Sequence, residues 1–195
     1  EFTVHLTAQI EELDASVGKV FDSLKELGIE NNTIFIFMSD NGGSRGTSMG
    51  PLKGGKGSMY EGGPRTPFLI HWPESIPAGK VTHEIGVSSD LLPTLAKLCG
   101  GKLSGNRIDG RDLSDLFLDP DKAKSPHEGF AHKGMAYRLG KWKMVGKKLY
   151  DLEKDLGEKH NLAKQYPKVL KKLNDKANKF FSKIEGEIRP HAQMP

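Results

Sequence analysis

One cysteine, Cys99, stands in 195 residues, so an internal disulfide is excluded and the redox compartment is left open. No segment reaches the roughly 20 apolar residues that a membrane-spanning helix needs. The chain opens on Glu1-Phe2-Thr3 and shows no initiator methionine, basic leader region or apolar leader core. It is therefore read as an excised piece or a processed product, with any targeting signal upstream. No internal repeat or low-complexity tract interrupts it.

What is present suits one domain, or one domain with a small appendage. At 36% hydrophobic residues the chain can bury a core, covering roughly 70% of the surface it would expose unfolded. The net charge is +4, with lysine concentrated between residues 122 and 183. Such a half would suit a polyanion, either nucleic acid or a sulfated glycan. However, the lysines at 164, 168, 171, 172, 176, 179 and 183 interleave with Val169, Leu170, Leu173, Ala177, Phe180 and Phe181. That pattern marks the wet side of an amphipathic helix, and no nucleic-acid partner is expected.

Apolar residues at 4, 6, 10, 13, 17, 20, 21, 24 and 27 keep a helical period up to Gly28. The run Thr33 to Met38 is continuously apolar after its first residue, which predicts a strand buried on both faces, as in a parallel α/β sheet. Ligands of such sheets bind beyond the carboxyl ends of strands, where Asp40 stands. Residues 42–66 are rich in glycine and lack periodicity, so they form a long loop of the kind that usually carries function. Phe68 to Trp72 reads as a second buried strand ended by Pro73. Ser89 to Cys99 reads as a helix with Pro93 in its first turn and Gly100-Gly101 after it.

A composition shift over 119–128 divides the chain into 1–122, part of an α/β domain, and 123–195, a small subdomain. In the second part, Met135–Leu139, Lys141–Val145 and Lys148–Leu152 read as an antiparallel meander turning at Gly140 and Gly146-Lys147. A helix from about Pro167 to Ile184 packs across it.

Three features carry chemistry. Asp40-Asn41-Gly42 is in isolation a common tight turn. After an apolar strand and before a long glycine loop, its carboxylate and amide oxygens suit Ca²⁺ or Mg²⁺ (calcium or magnesium) rather than zinc, with further carboxylates supplied from elsewhere. Gly50 to Gly57 nearly matches a phosphate-binding loop. Gly57 stands where a metal-binding hydroxyl belongs and no helix follows, so nucleotide binding is rejected. Lys56 on this loop suits an anion held against the cation, and Glu61 to Arg65 give the loop a structured exit.

The ordered stretches Leu13-Asp14-x-x-Val17-Gly18, Thr33 to Gly42, and Gly55-Lys56-Gly57 to Pro67 begin a longer pattern. It continues with His71-Trp72-Pro73, Asp90 to Leu95, Asp109-Gly110, Arg138 to Lys143, Leu149 to Leu152, and then Asp155, Glu158 and Asn161. Over almost the whole chain this resembles the C-terminal part of a type I sulfatase, arylsulfatase-like, of the alkaline phosphatase superfamily. The resemblance implies an α/β fold: the C-terminal part of an alkaline-phosphatase-like mixed sheet flanked by helices, with a small antiparallel sheet and helix subdomain. It implies that Asp40 and Asn41 are metal ligands of Ca²⁺, and that Lys56 is catalytic and binds a sulfate oxygen. The substrate would be an aryl or carbohydrate sulfate ester, in a periplasmic, secreted or lysosomal setting. His127 and His132 lie where this family's C-terminal piece nears the substrate, and His132 is carried as a substrate-binding candidate. Glu61 and Arg65 are expected to shape the loop.

The chain also departs from the family pattern. The family's nucleophile is a formylglycine made in a Cys/Ser-x-Pro-x-Arg motif. Cys99 is followed by Gly-Gly-Lys-Leu, and Ser75-Ile-Pro77-Ala-Gly79 has glycine where arginine is required. The formylglycine, the partner carboxylates and the catalytic histidine are expected in an N-terminal part outside this chain, which alone should be inactive. Pro64 and Leu156 also depart from the usual residues, with local effect. His5 is expected to be exposed, His83, His160 and His191 to be surface residues, and Trp142 to be core. The competing reading is a non-catalytic glycan-binding or assembly module on the same scaffold. A phosphatase or phosphomutase relative would need histidine-rich metal ligation. A truncated sheet would expose an edge, so self-association is expected.

Overall fold

The computed structural model describes residues 2–44, 46–104, 108–132 and 136–187. The helices are α1 (Phe2–Glu26), α2 (Leu91–Leu98), α3 (Ser114–Leu118) and α4 (Pro167–Gly186). The strands are β1 (Phe35–Met38), β2 (Phe68–His71), β3 (Phe130–His132), β4 (Ala136–Leu139), β5 (Trp142–Val145) and β6 (Lys148–Asp151). The chain forms two compact units: Glu1–Asp40, Arg45–Thr47 and Thr66–His127 make one, and Asn41–Ser44, Ser48–Arg65 and Glu128–Pro195 make the other. The Lys56 loop therefore groups with the C-terminal sheet, whereas a cut at residue 122 would leave it with the first part.

In the first unit, α1 ends where Gly28 takes φ +67°, a conformation that costs glycine little. Its Phe21 ring lies 4.6 Å from that of Phe35 and 5.1 Å from that of His71. Strand β1 pairs with β2, but antiparallel, with Phe35 opposite His71 and Met38 opposite Phe68. All four residues of β1 are half-buried, and Phe68, Leu69 and His71 are exposed. The parallel, doubly buried strand expected from the apolar run is thus replaced by an antiparallel pair. An unbroken apolar run is compatible with burial but does not set the direction of the neighbour.

Leu113, Leu116 and Phe117 form this unit's core with Ile70, Ile76, Leu98 and Ala123 around them. The buried Asp90 carboxylate ties the unit together, accepting the N–H groups of Val87 and Arg111, each at 2.8 Å. Thr94 Oγ1 donates to the Asp90 carbonyl at 2.6 Å and accepts the Leu113 N–H at 2.9 Å.

In the second unit the sheet order is β3-β4-β5-β6, antiparallel throughout. Its turns sit at Gly140 and Gly146, with φ +54° and +56°. Side chains alternate across a strand, and here the alternation separates two cores. Tyr137, Met144 and Leu149 face Leu173 and Ala177 of α4. Ala136, Val145 and Tyr150 point the other way and are covered by Met59 and Tyr60 of the glycine-rich loop. The sheet is packed by a helix on one face and by the loop on the other.

Candidate active site

Asp40 lies two residues beyond the end of β1 and is exposed; Asn41 is half-buried. From Asn41 onward the chain is stitched to the loop that carries Lys56. The N–H of buried Gly42 donates to the Gly63 carbonyl at 2.8 Å, and the Lys56 N–H donates to the Gly43 carbonyl at 2.9 Å. The approach at Gly42 is so close that a Cβ there would lie 1.7 Å from the Gly62 oxygen. Only glycine lets the two backbones run together at Gly42, and Gly62 and Gly63 are held to glycine in the same way by the Lys53 and Ser58 carbonyl oxygens, 2.6 and 2.0 Å from where a Cβ would stand.

Lys56 itself is exposed, on a turn closed by the Ser58 N–H to the Gly55 carbonyl at 2.8 Å. His132, on β3, is half-buried, with Nε2 3.1 Å from the Ser58 carbonyl. The structure therefore brings Asn41, Lys56 and His132 to one loop system inside the second unit, with His132 turned toward loop backbone. Asp40 is the covalent neighbour of Asn41 at the end of the other unit.

The remaining sequence candidates fall elsewhere. His127 Nε2 lies 2.8 Å from Asp90 Oδ2 with its side chain 13% exposed, so its ring is held in the first unit's polar knot. Cys99 is an exposed free thiol and Ser75 sits in the turn after β2. His5, His83 and His160 are exposed, as expected, and His160 pairs with Asp155. His191 and Met135 lie outside the described residues. Trp142 is half-buried against the helix-side core, its ring 5.1 Å from that of Tyr166.

Spacing could not reveal the buried charge cluster beneath the loop. Lys143 Nζ lies 2.9 Å from Glu61 Oε1 and 3.1 Å from Glu158 Oε1. These side chains are at most 5% exposed. Glu158 Oε2 accepts the Glu61 N–H at 2.6 Å, and Arg65 reaches Glu61 Oε2 at 3.4 Å. Burial pushes the Glu158 carboxyl above its ordinary range, against the pull of the Glu61 N–H and the Lys143 ammonium. Beside this cluster, the hydrogen bond from Tyr150 holds the Tyr60 hydroxyl below its usual value, helped by Lys53, while burial raises Tyr150.

Hard oxygen donors from one carboxylate and one amide fit a calcium-type cation as part of a cage. Among the described residues, no cluster of three or more His, Cys, Asp or Glu side chains completes one. Likewise, among the described residues no helix is long and apolar enough to cross a membrane.

The sulfatase family model matches residues 7–101. Human arylsulfatase A is 38% identical across 83% of this chain and 40% of its own length. The structure of Ps i-CgsB in complex with k-i-k-neocarrahexaose is 36% identical, with a TM-score of 0.75 over 86% of this chain and 40% of that one. The PsFucS1 sulfatase from Pseudoalteromonas sp., at 23% identity, shares the fold with a TM-score of 0.79 over 94% of this chain and 43% of its own. This chain thus spans about two fifths of the length of these proteins. The strand-end motif and the glycine-rich loop both fall inside the matched residues, on an alkaline-phosphatase-like fold, and the chain belongs to the sulfatase family.

Proposed function

We propose that the full-length protein is a sulfuric ester hydrolase, and that this chain supplies the anion-binding lysine and two cation ligands of its active site. The observation that carries this reading is the stitching of Asn41-Gly42-Gly43 to the Lys56 loop, which keeps an amide oxygen and a cationic loop in one framework. Asp40 and Asn41 would hold the Ca²⁺ ion, which when bound draws charge from the sulfate oxygens. Lys56, exposed on its turn, donates to a sulfate oxygen and offsets charge developing on the leaving oxygen. His132 supports the turn through the Ser58 carbonyl. The chain alone is inactive, since the family's nucleophile motif is absent from it and losing one member of a catalytic constellation costs orders of magnitude.

The substrate is an aryl or carbohydrate sulfate ester; one relative is named an arylsulfatase, and a similar structure is in complex with k-i-k-neocarrahexaose. The test is sulfate release by the full-length protein from an aryl sulfate and from a sulfated oligosaccharide. Lys56→Ala should cut turnover by about 10²–10³-fold while leaving a measurable residue, and Asp40→Ala should abolish calcium binding measured by titration calorimetry. Turnover untouched by Lys56→Ala would defeat the assignment.

Helix α4 favours a second reading, a glycan-binding role. Lys168, Lys172, Lys176, Lys179 and Lys183 recur every three or four residues along one stripe, about 22 Å long at a helical rise. All but Lys176, which pairs with Glu128, are exposed. A linear sulfated polysaccharide complements such a stripe.

A further inference from the structure

We infer that Glu158 and Lys143 are positioning residues that hold the Lys56 turn in its anion-binding shape, so that the C-terminal subdomain sets the geometry of the sulfate site. The inference rests on the sulfatase reading of Lys56.

Residues 53–62 form a closed loop whose neck is the Gly62 N–H donating to the Lys53 carbonyl at 2.8 Å. Glu158 grips both sides of that neck. Its carboxylate accepts the Glu61 N–H at 2.6 Å, and its backbone carbonyl accepts Lys53 Nζ at 3.1 Å. Lys53 also lies over the Tyr60 ring, 4.1 Å from the centroid. Lys143 rises from β5 and pairs with both carboxylates, locking Glu61 to Glu158.

Glu158 reaches both strands of the neck from φ +51°, the one non-glycine residue with positive φ among those described. That conformation is uncommon for a side chain of this size and persists where surroundings enforce it. Lys56 lies inside the clamped segment, three residues after Lys53 and five before Glu61. Its own ammonium is exposed, so the placement of its charge depends on the backbone beneath it. A displacement of about 1 Å in such a group is enough to cost up to a hundredfold.

The experiment uses the full-length protein and reads the inhibition constant of inorganic sulfate against aryl sulfate hydrolysis. Glu158→Gln and Lys143→Met each raise that constant about tenfold or more, and Lys143→Arg recovers most of the loss. Combined with a Lys56→Ala variant that retains residual turnover, neither change weakens sulfate further, because both act through Lys56. Multiplicative losses in the combined variants would overturn the positioning role. Should Lys143→Met fail to fold, Lys53→Met, at a half-buried position, removes the grip on the Glu158 carbonyl together with the ammonium over the Tyr60 ring and carries the same expectations. Amide exchange adds a readout independent of turnover: residues 53–62 lose protection in Glu158→Gln while α4 amides keep theirs, and unchanged exchange in the loop counts against the inference. If Lys56→Ala alone leaves sulfate inhibition intact, the functional assignment fails first, and the inference with it.

Discussion

The ammonium of Lys143 sits 3.1 Å from the carboxylate of Glu158, and neither side chain is more than 3% exposed. The pair is buried under the loop that bears Lys56, with Glu61 as its third member. Charges removed from water cost several kcal/mol each, about as much as their mutual attraction returns. Such a cluster is weak evidence of stabilisation. It is better evidence of a fixed arrangement, since each member becomes a liability when another is lost.

The first prediction follows from that asymmetry. Lys143→Met leaves Glu61 and Glu158 facing each other without a counter-charge and should cost about 3–5 kcal/mol. Lys143→Arg keeps the charge at the expense of a tight fit and should cost roughly 1–3 kcal/mol. Urea unfolding midpoints at neutral pH measure both, and equal losses would show that charge is irrelevant to the cluster.

Glu158 also leaves a signature in pH. Burial raises its carboxyl, so the folded protein binds that proton more tightly than the unfolded chain does. Stability from this group is present below its unfolded value, about 4.3, and is lost as pH rises through the raised native value. Asp151 and Asp155 shift the opposite way. Burial opposes the change in both, but the Lys141 ammonium outweighs it for Asp151, and the backbone N–H groups of His160 and Lys159 do so for Asp155. Their contributions are present above the unfolded value and vanish in acid. Glu158→Gln deletes the falling component alone. Stability plotted from about pH 4 to pH 7 should therefore have a more positive slope in the variant than in the parent. Coincident slopes would place the Glu158 carboxyl at its ordinary value.

The elements with a strong period were readable from the residues. Helices α1, α2 and α4 follow their apolar spacing, and β4, β5 and β6 lie where alternation and the glycines at 140 and 146 put them. Two elements went unread. Helix α3 spans five residues and β3 three, too few for a period to register. The direction of β2 against β1 was missed because 29 residues separate the strands and side-chain type does not encode polarity. Asn41 and Lys56 stood out as candidates because local backbone demands, a strand end and a glycine loop, marked them. Lys143 and Glu158 were not, because their partner Glu61 lies 82 and 97 positions away in sequence and is brought close by the fold alone.

The loop's glycines should be sharply unequal to others in the chain. A Cβ on Gly63 would meet the Ser58 carbonyl oxygen at 2.0 Å and the Gly55 oxygen at 3.2 Å, on either side of Lys56. Gly63→Ala must move that backbone, with an expected loss of about 1–3 kcal/mol. It should also lose sulfate affinity in the full-length protein. Gly18 of α1 has open space where a Cβ would stand, with nothing within 4 Å, and Gly18→Ala should stabilise by about 0.5–1 kcal/mol. A thermal melt of Gly63→Ala at or above the parent's would contradict the packing at Gly63, and a lowered melt of Gly18→Ala would contradict the open space at Gly18.

Helix α4 separates the two functional readings. Its buried side holds Leu173 and Ala177 in the core, while Lys168, Lys172, Lys179 and Lys183 are exposed. If these lysines take up a sulfated polysaccharide, binding releases counterions and weakens steeply with salt. Lys172→Glu combined with Lys179→Glu should then cut retention on a sulfated-polysaccharide column without changing the circular dichroism. Hydrolysis of a small aryl sulfate by the full-length protein should be unaffected, since that substrate is too short to span the stripe. Parallel loss of retention and of aryl sulfate turnover would instead tie α4 to the chemistry, and unchanged retention would return the lysines to the role of a solvated face.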